Sequence, residues 1–242
     1  HEQHPTFFAT TFPLSDVLGV PTTHGGAIGL DAPMTSQKNE PAFTPEATIG
    51  PFFPYMFTER MPVNPAADLP GLTHKPMGSP ILVSGRVLDE VDRPLRSIII
   101  ETWQANSFGR YRHPADQDEA RPLDPAFDGF ARLRTDDDGR YLLRTIKPGA
   151  RSAVSDPHVH RAPHVRMTIF GSGIDRVVSF MFFNDETANA RDPLLASLSE
   201  PDAARLIARR KPDPAPGGAI QYEFDIVLRG ARETPFFDDW SA

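Results

Sequence analysis

FARLRTDDDGRYLLRTI (130–146) is the stretch on which the fold turns, because two short runs, FARLRT (130–135) and RYLLRTI (140–146), flank the tetrapeptide DDDG. Side chains of a strand alternate between faces with period two, and both runs carry that alternation. An Asp-Gly ending between two such runs is a strong short-range hairpin signal. The same punctuation continues in both directions. ILVSGRVL (81–88) and SIIIETWQA (97–105) flank DEVDRP, where Asp and Pro supply the preferences of a tight turn, so these two strands are expected to pair as neighbours. HVRMTIFG (164–171), RVVSFMFF (176–183) and QYEFDIVLRG (221–230) bring the expected strands to at least seven, many rich in β-branched or aromatic residues.

One helix is expected after Ser199, a capping residue, with Pro201 in the first turn and Ala203, Leu206 and Ile207 as its apolar stripe. KPDPAPGG (211–218) reads as a loop. The fold class that follows is mostly β: an antiparallel or mixed β-sandwich with one or two peripheral helices and a long N-terminal arm. The arm covers residues 1–47, where Pro, Thr, Gly, His and Asn show little periodicity, and the sandwich domain covers 48–242. Phe7, Phe8, Phe12 and Phe43 are too many aromatics for a plainly disordered tail, so part of the arm is expected to pack against something.

Bulk composition narrows the function classes. A chain of 242 residues with 39% apolar and 24% charged residues can bury a full core as one domain. No stretch approaches the roughly 18 consecutive apolar residues of a membrane span. The formal charge of −7 opposes general attraction to nucleic acid or an anionic membrane, which leaves small molecules and other proteins as partners. There is no cysteine, so any metal must be held by His, Tyr, Asp or Glu. No leader pattern marks the first residues, and a cytoplasmic setting is expected.

The most unusual local feature is DPHVHRAPHVR (156–166), with histidines at 158, 160 and 164 beside Arg161 and Arg166. On a strand, His158 and His160 would share a face and could chelate a metal; on a loop, which Pro157 and Arg161 favour, they are exposed and bind nothing. Tyrosine is rare, and Tyr141 and Tyr222 fall in alternating strand patterns as sheet residues. Tyr111 differs, since FGRYRHP (108–114) follows the strand ending near Trp103 and Gln104, where a loop can aim a phenol inwards. Read from the residues alone, it is either structural or catalytic.

Taken together, WQANSFGRYRHPADQ (103–117), RPLDPAFDGFARLRTDDDGRYLLRTIKPG (121–149), RAPHVRMTIFG (161–171) and YEFDIVLRG (222–230) resemble, in order, the intradiol catechol dioxygenases of the protocatechuate type. The resemblance spans roughly residues 44–240. It implies a β-sandwich and an enzyme built from two homologous subunits, α and β, of which β carries the catalytic Fe(III). That ion is held by two tyrosinates and two histidines, binds a catechol-type aromatic acid, and with O₂ opens the ring between the two hydroxyl-bearing carbons to give a muconate-type diacid.

The resemblance maps the first tyrosine onto Tyr111 and the first histidine onto His164. The second tyrosine, two residues past Lys147-Pro148-Gly149, falls on Arg151, and the second histidine on Arg166. The arginine that steadies charge on the bound aromatic falls on Arg161 and is retained. The chain is a mixture in other respects. Thr48 to Phe53 and the ending ETPFFDDW (233–240) look α-like, while the long arm and FDIVLRG look β-like; Gly171-Ser172-Gly173 replaces an expected α-type arginine.

Three expectations follow. The chain is a non-metallated, α-like subunit of a hetero-oligomer in which Gly50, Pro51 and Phe52 line the pocket of a homologous iron-bearing partner. Alternatively it is a self-sufficient metalloenzyme with relocated ligands among Tyr111, His113, His158, His160 and His164. In the third reading it is a pseudoenzyme whose Arg151, Arg161 and Arg166 bind an aromatic acid.

Overall fold

The computed structural model describes residues 12–13, 76–152, 159–171, 174–215 and 217–238. In chain order the described strands are β1 (Phe12–Pro13), β2 (Pro80–Leu88), β3 (Ile99–Gln104), β4 (Phe130–Arg134), β5 (Arg140–Ile146), β6 (Arg151–Ser152) and β7 (His160–Arg161). They continue as β8 (His164–Gly171), β9 (Ile174–Phe183), β10 (Ile207–Arg210), β11 (Ile220–Glu223), β12 (Ile226–Val227) and β13 (Phe237–Asp238). A 3₁₀ turn (Thr187–Arg191) and two short helices, α1 (Pro193–Ala196) and α2 (Glu200–Arg205), separate β9 from β10. The protein is mostly β, as expected.

The strand order β12-β2-β11-β10-β9-β8-β3-β4, with β5 on β2 and β13 on β9, folds over one main core. Ile81, Val83, Tyr141, Leu143 and Tyr222 enter it from one layer; Ile100, Val165, Met167, Ile169 and Met181 enter from the other. β10 joins the layers, antiparallel to β11 and parallel to β9. Alternation along β8 sends Val165, Met167 and Ile169 into this core, so His164, Arg166 and Thr168 face the other way. There a smaller cluster of Phe180, Phe182, Leu194, Leu206 and Phe237 packs under the helices.

Two pairing expectations are corrected. β2 and β3 are not neighbours. The DEVDRP turn does form, with Asp89 Oδ1 accepting from the amides of Val91 and Arg93, but β2 already has β5 on one edge and β11 and β12 on the other. No edge is left for β3, and the chain crosses to the opposite layer through Ser97, whose φ is 58°. The DDDG turn likewise closes, with the Gly139 amide donating to Asp136 O at 3.0 Å, yet β4 pairs with β3 and β5 with β2. It is a corner between layers, not a hairpin.

Smaller differences have local causes. Ser199 caps α2 and Pro201 sits in its first turn, but Ile207 belongs to β10 because its amphipathic position meets β9. QYEFDIVLRG divides into β11 and β12 where the chain bends past Gly85. Of the arm, only Phe12–Pro13 is described, as a two-residue parallel pairing with β13. The remainder of residues 1–47, with Phe7, Phe8 and Phe43, lies outside the described residues.

Candidate functional site

A short loop brings Tyr111 back against β3. Asn106 organises that loop: its Oδ1 accepts from the amides of Phe108 and Arg110, each at 3.0 Å, and its carbonyl accepts from Gly109 and Gly149. Asp116 Oδ2 then takes the Tyr111 amide at 2.9 Å. The Tyr111 ring stacks on Trp103, with centroids 5.7 Å apart and planes within 12°. Trp103 stands across the ladder from Arg166 on β8, and Arg166 stands across from Phe180 on β9. Since i and i+2 share a face, His164 lies beside Arg166, and its Nε2 is 3.5 Å from the Tyr111 hydroxyl.

The remaining two arginines arrive on the β6–β7 ladder, where Arg151 and Arg161 are direct register partners. The Arg151 guanidinium sits 4.8 Å from the Tyr111 ring centroid and pairs with Asp116 at 3.2 Å. Arg161 is 2% exposed, and its Nε donates at 3.0 Å to Asp192, which is itself fully buried. Asp192 is satisfied on both oxygens: Oδ2 also accepts the Ala162 amide, while Oδ1 caps α1 through the amides of Leu194 and Leu195. The two terminal nitrogens of Arg161 have no hydrogen-bond partner although both are buried. A buried donor left unpaired costs roughly 1–3 kcal/mol, more when charged.

Protonation follows from these contacts. His164 Nδ1 lies 2.7 Å from the Ala162 carbonyl and must donate to it, so Nε2 is the bare nitrogen. Burial, and then the Arg161 charge, lower the imidazole from its ordinary value to about 4. The ring is neutral at pH 7. Burial raises the Tyr111 phenol, with the charges of Arg151, Arg161 and Arg166 pulling the other way.

The structure thus brings Tyr111, Arg151, Arg161, His164 and Arg166 together. It does not bring His160 with them into a cage: His160 is exposed on β7, while His164 is 7% exposed. His113 meets Trp103 edge-on at 6.5 Å and accepts the Ala115 amide. His158, Gly50, Pro51 and Phe52 lie outside the described residues. Among the described residues no group of three or more His, Cys, Asp or Glu side chains converges. Asp116, Asp192 and Trp103 were not singled out from the sequence. Asp192-Pro193 before an apolar run is a helix-start signal, though nothing in it foretells the Arg161 partnership.

A ferric ion asks for anionic oxygen and imidazole donors, and this cluster offers one phenol and one neutral imidazole beside three guanidiniums. A guanidinium has no lone pair to donate and stays charged, so each one repels a trivalent cation. The donor set at Tyr111 and His164 does not fit Fe(III).

A mostly-β sandwich carrying this Tyr-Arg-Arg-His-Arg cluster matches, over residues 55–230, the family model described as Dioxygenase. The chain belongs to the intradiol ring-cleavage dioxygenase family. It is 43% identical to the protocatechuate 3,4-dioxygenase beta chain of Burkholderia cepacia, over 72% of this chain and 79% of that one. To the alpha chain of the same organism it is 33% identical, over 81% of this chain and 96% of that one. It is 23% identical to the catechol 1,2-dioxygenase of Candida albicans, over 90% of this chain and 70% of that one. Among the described residues no helix is long and apolar enough to cross a membrane.

Proposed function

We propose that this chain is a subunit of a protocatechuate-type intradiol dioxygenase that holds no iron of its own and acts in the cytoplasm as scaffold and partial lining for a homologous iron-bearing chain. One observation carries this reading. Arg151 and Arg166 stand beside Tyr111 and His164, with Arg151 held on the Tyr111 ring and by Asp116, and these are the two positions onto which the resemblance maps the family's other two donors. Relatives named as alpha and beta chains support a hetero-oligomer.

In that complex Fe(III), the catechol-type aromatic acid and O₂ meet in the partner's site. Gly50, Pro51 and Phe52 are the residues of this chain assigned to its rim. The test is metal analysis of the chain expressed alone and together with a homologue that has both tyrosines and both histidines. Expected are no bound iron for the chain alone, and co-purification with iron and ring-cleaving activity for the pair. Stoichiometric iron on the chain alone, with the red-brown absorption of a ferric tyrosinate, would overturn the reading.

A further inference from the structure

The N-terminal arm joins the sheet with a defined direction. β1 runs parallel to β13, with Phe12 level with Phe237, and β13 runs antiparallel to β9, with Phe237 level with Val178. The chain before Phe12 is therefore aimed along β9 towards Phe182. Phe8 precedes Phe12 by as many residues as Phe182 follows Val178, and at about 3.3 Å per residue each span covers ~13 Å. Phe182 is the register partner of Ile207 on β10. At Ile207 there is an apolar groove of about 400 Å³, walled by Leu195 and Ala196 of α1 and by Ala203 and Ala204 of α2.

We propose that this groove is the seat of Phe8, so that the arm of this chain forms a strap that runs back from β1 and ends over α1 and α2. TFFATTF (6–12) consists mainly of Thr and Phe, residue types that favour extended backbone. Among residues 1–11 only Phe7 and Phe8 are large and apolar, and on an extended chain they point to opposite sides. Phe8 has the parity of the position level with Phe237, and Phe237 packs with Phe182 and Leu195 in the cluster under the helices, so Phe8 is the ring on the groove side. The strap also bears on the arginine cluster. α1 is a single turn, capped by the same Asp192 that neutralises Arg161, and a ring over Leu195 shields the amides of Leu194 and Leu195 that bond to that carboxylate.

The chain has no cysteine, so disulfide trapping in the full chain reads out without background. Thr6→Cys, on the groove side of Phe8, is combined with Ala196→Cys or Ala204→Cys, one on each wall. The control partner is Asp137→Cys, in the corner after β4, which lies three strands from β9 on the side away from β10. At least one wall pair must close within a single chain about tenfold faster than the control pair, and adding Phe8→Ser must remove that advantage. Equal rates for wall and control, or rates indifferent to Phe8→Ser, overturn the proposal. Disulfide-linked dimers also overturn it, because the groove then takes the arm of a second copy. Hydrogen exchange gives a readout without cysteines: Phe8→Ser must speed exchange at Leu194 and Leu195, and unchanged rates there count as refutation. None of these outcomes depends on whether the chain holds iron.

Discussion

Asp192 shows how much one side chain carries. Its carboxylate neutralises Arg161, takes the Ala162 amide and caps α1, with no exposure to water. Asp192→Asn removes the charge and strands a buried guanidinium, so it is expected to cost about 3–5 kcal/mol in urea unfolding. His164 adds a pH dependence. Its folded imidazole titrates near 4 against about 6.5 in the unfolded chain, so the unfolded state takes up the proton first as pH falls. His164 then contributes full stability above pH ~6.5 and loses it down to ~4, on the order of 3 kcal/mol in all. Urea midpoints at pH 7.5 and 4.5 should differ less in His164→Gln than in the unaltered chain; equal differences would refute the assignment.

Elements meet where backbones approach closely, and Gly85 in β2 marks such a place. A Cβ there would lie 1.7 Å from the Phe224 carbonyl oxygen and 2.6 Å from its carbon, both backbone atoms that cannot swing aside. Across the same contact the Tyr141 hydroxyl donates to that oxygen at 2.6 Å. Gly85→Ala must push β2 away from the β11–β12 bend and is expected to cost about 3 kcal/mol or more, read as a fall in the thermal midpoint. Tyr141→Phe should cost about 1 kcal/mol, the worth of the buried hydrogen bond. The strand segments themselves were legible, because alternation and turn residues are local. Their partners were not. DEVDRP and DDDG both make tight turns, yet each leads into the opposite layer, since a turn specifies reversal of the chain and not which edge is still unoccupied.

At the scale of the molecule, long-range pairing sets when folding can finish. β2 pairs in parallel with β11, so Ile81 meets Ile220 and Ser84 meets Glu223 across most of the chain. A chain ending at residue 219 lacks β11 and β12, leaves one edge of β2 bare, and should not fold cooperatively. Far-ultraviolet circular dichroism and limited proteolysis would check this; a protease-resistant truncated chain would refute it.

From the residues alone came a mostly-β chain, its strand segments and the cap at Ser199; the resemblance to the intradiol family then mapped two donor positions onto Arg151 and Arg166. These are readable because periodicity, turn chemistry and the fixed charge of a guanidinium belong to a residue and its chain neighbours. The tertiary structure alone decided that β2 refuses β3, that Asp116 and Asp192 are the counter-ions, and that Arg161 keeps two buried nitrogens unpaired. Those facts depend on which distant segments reach the same edge or the same carboxylate, and distance along the chain carries no mark of that.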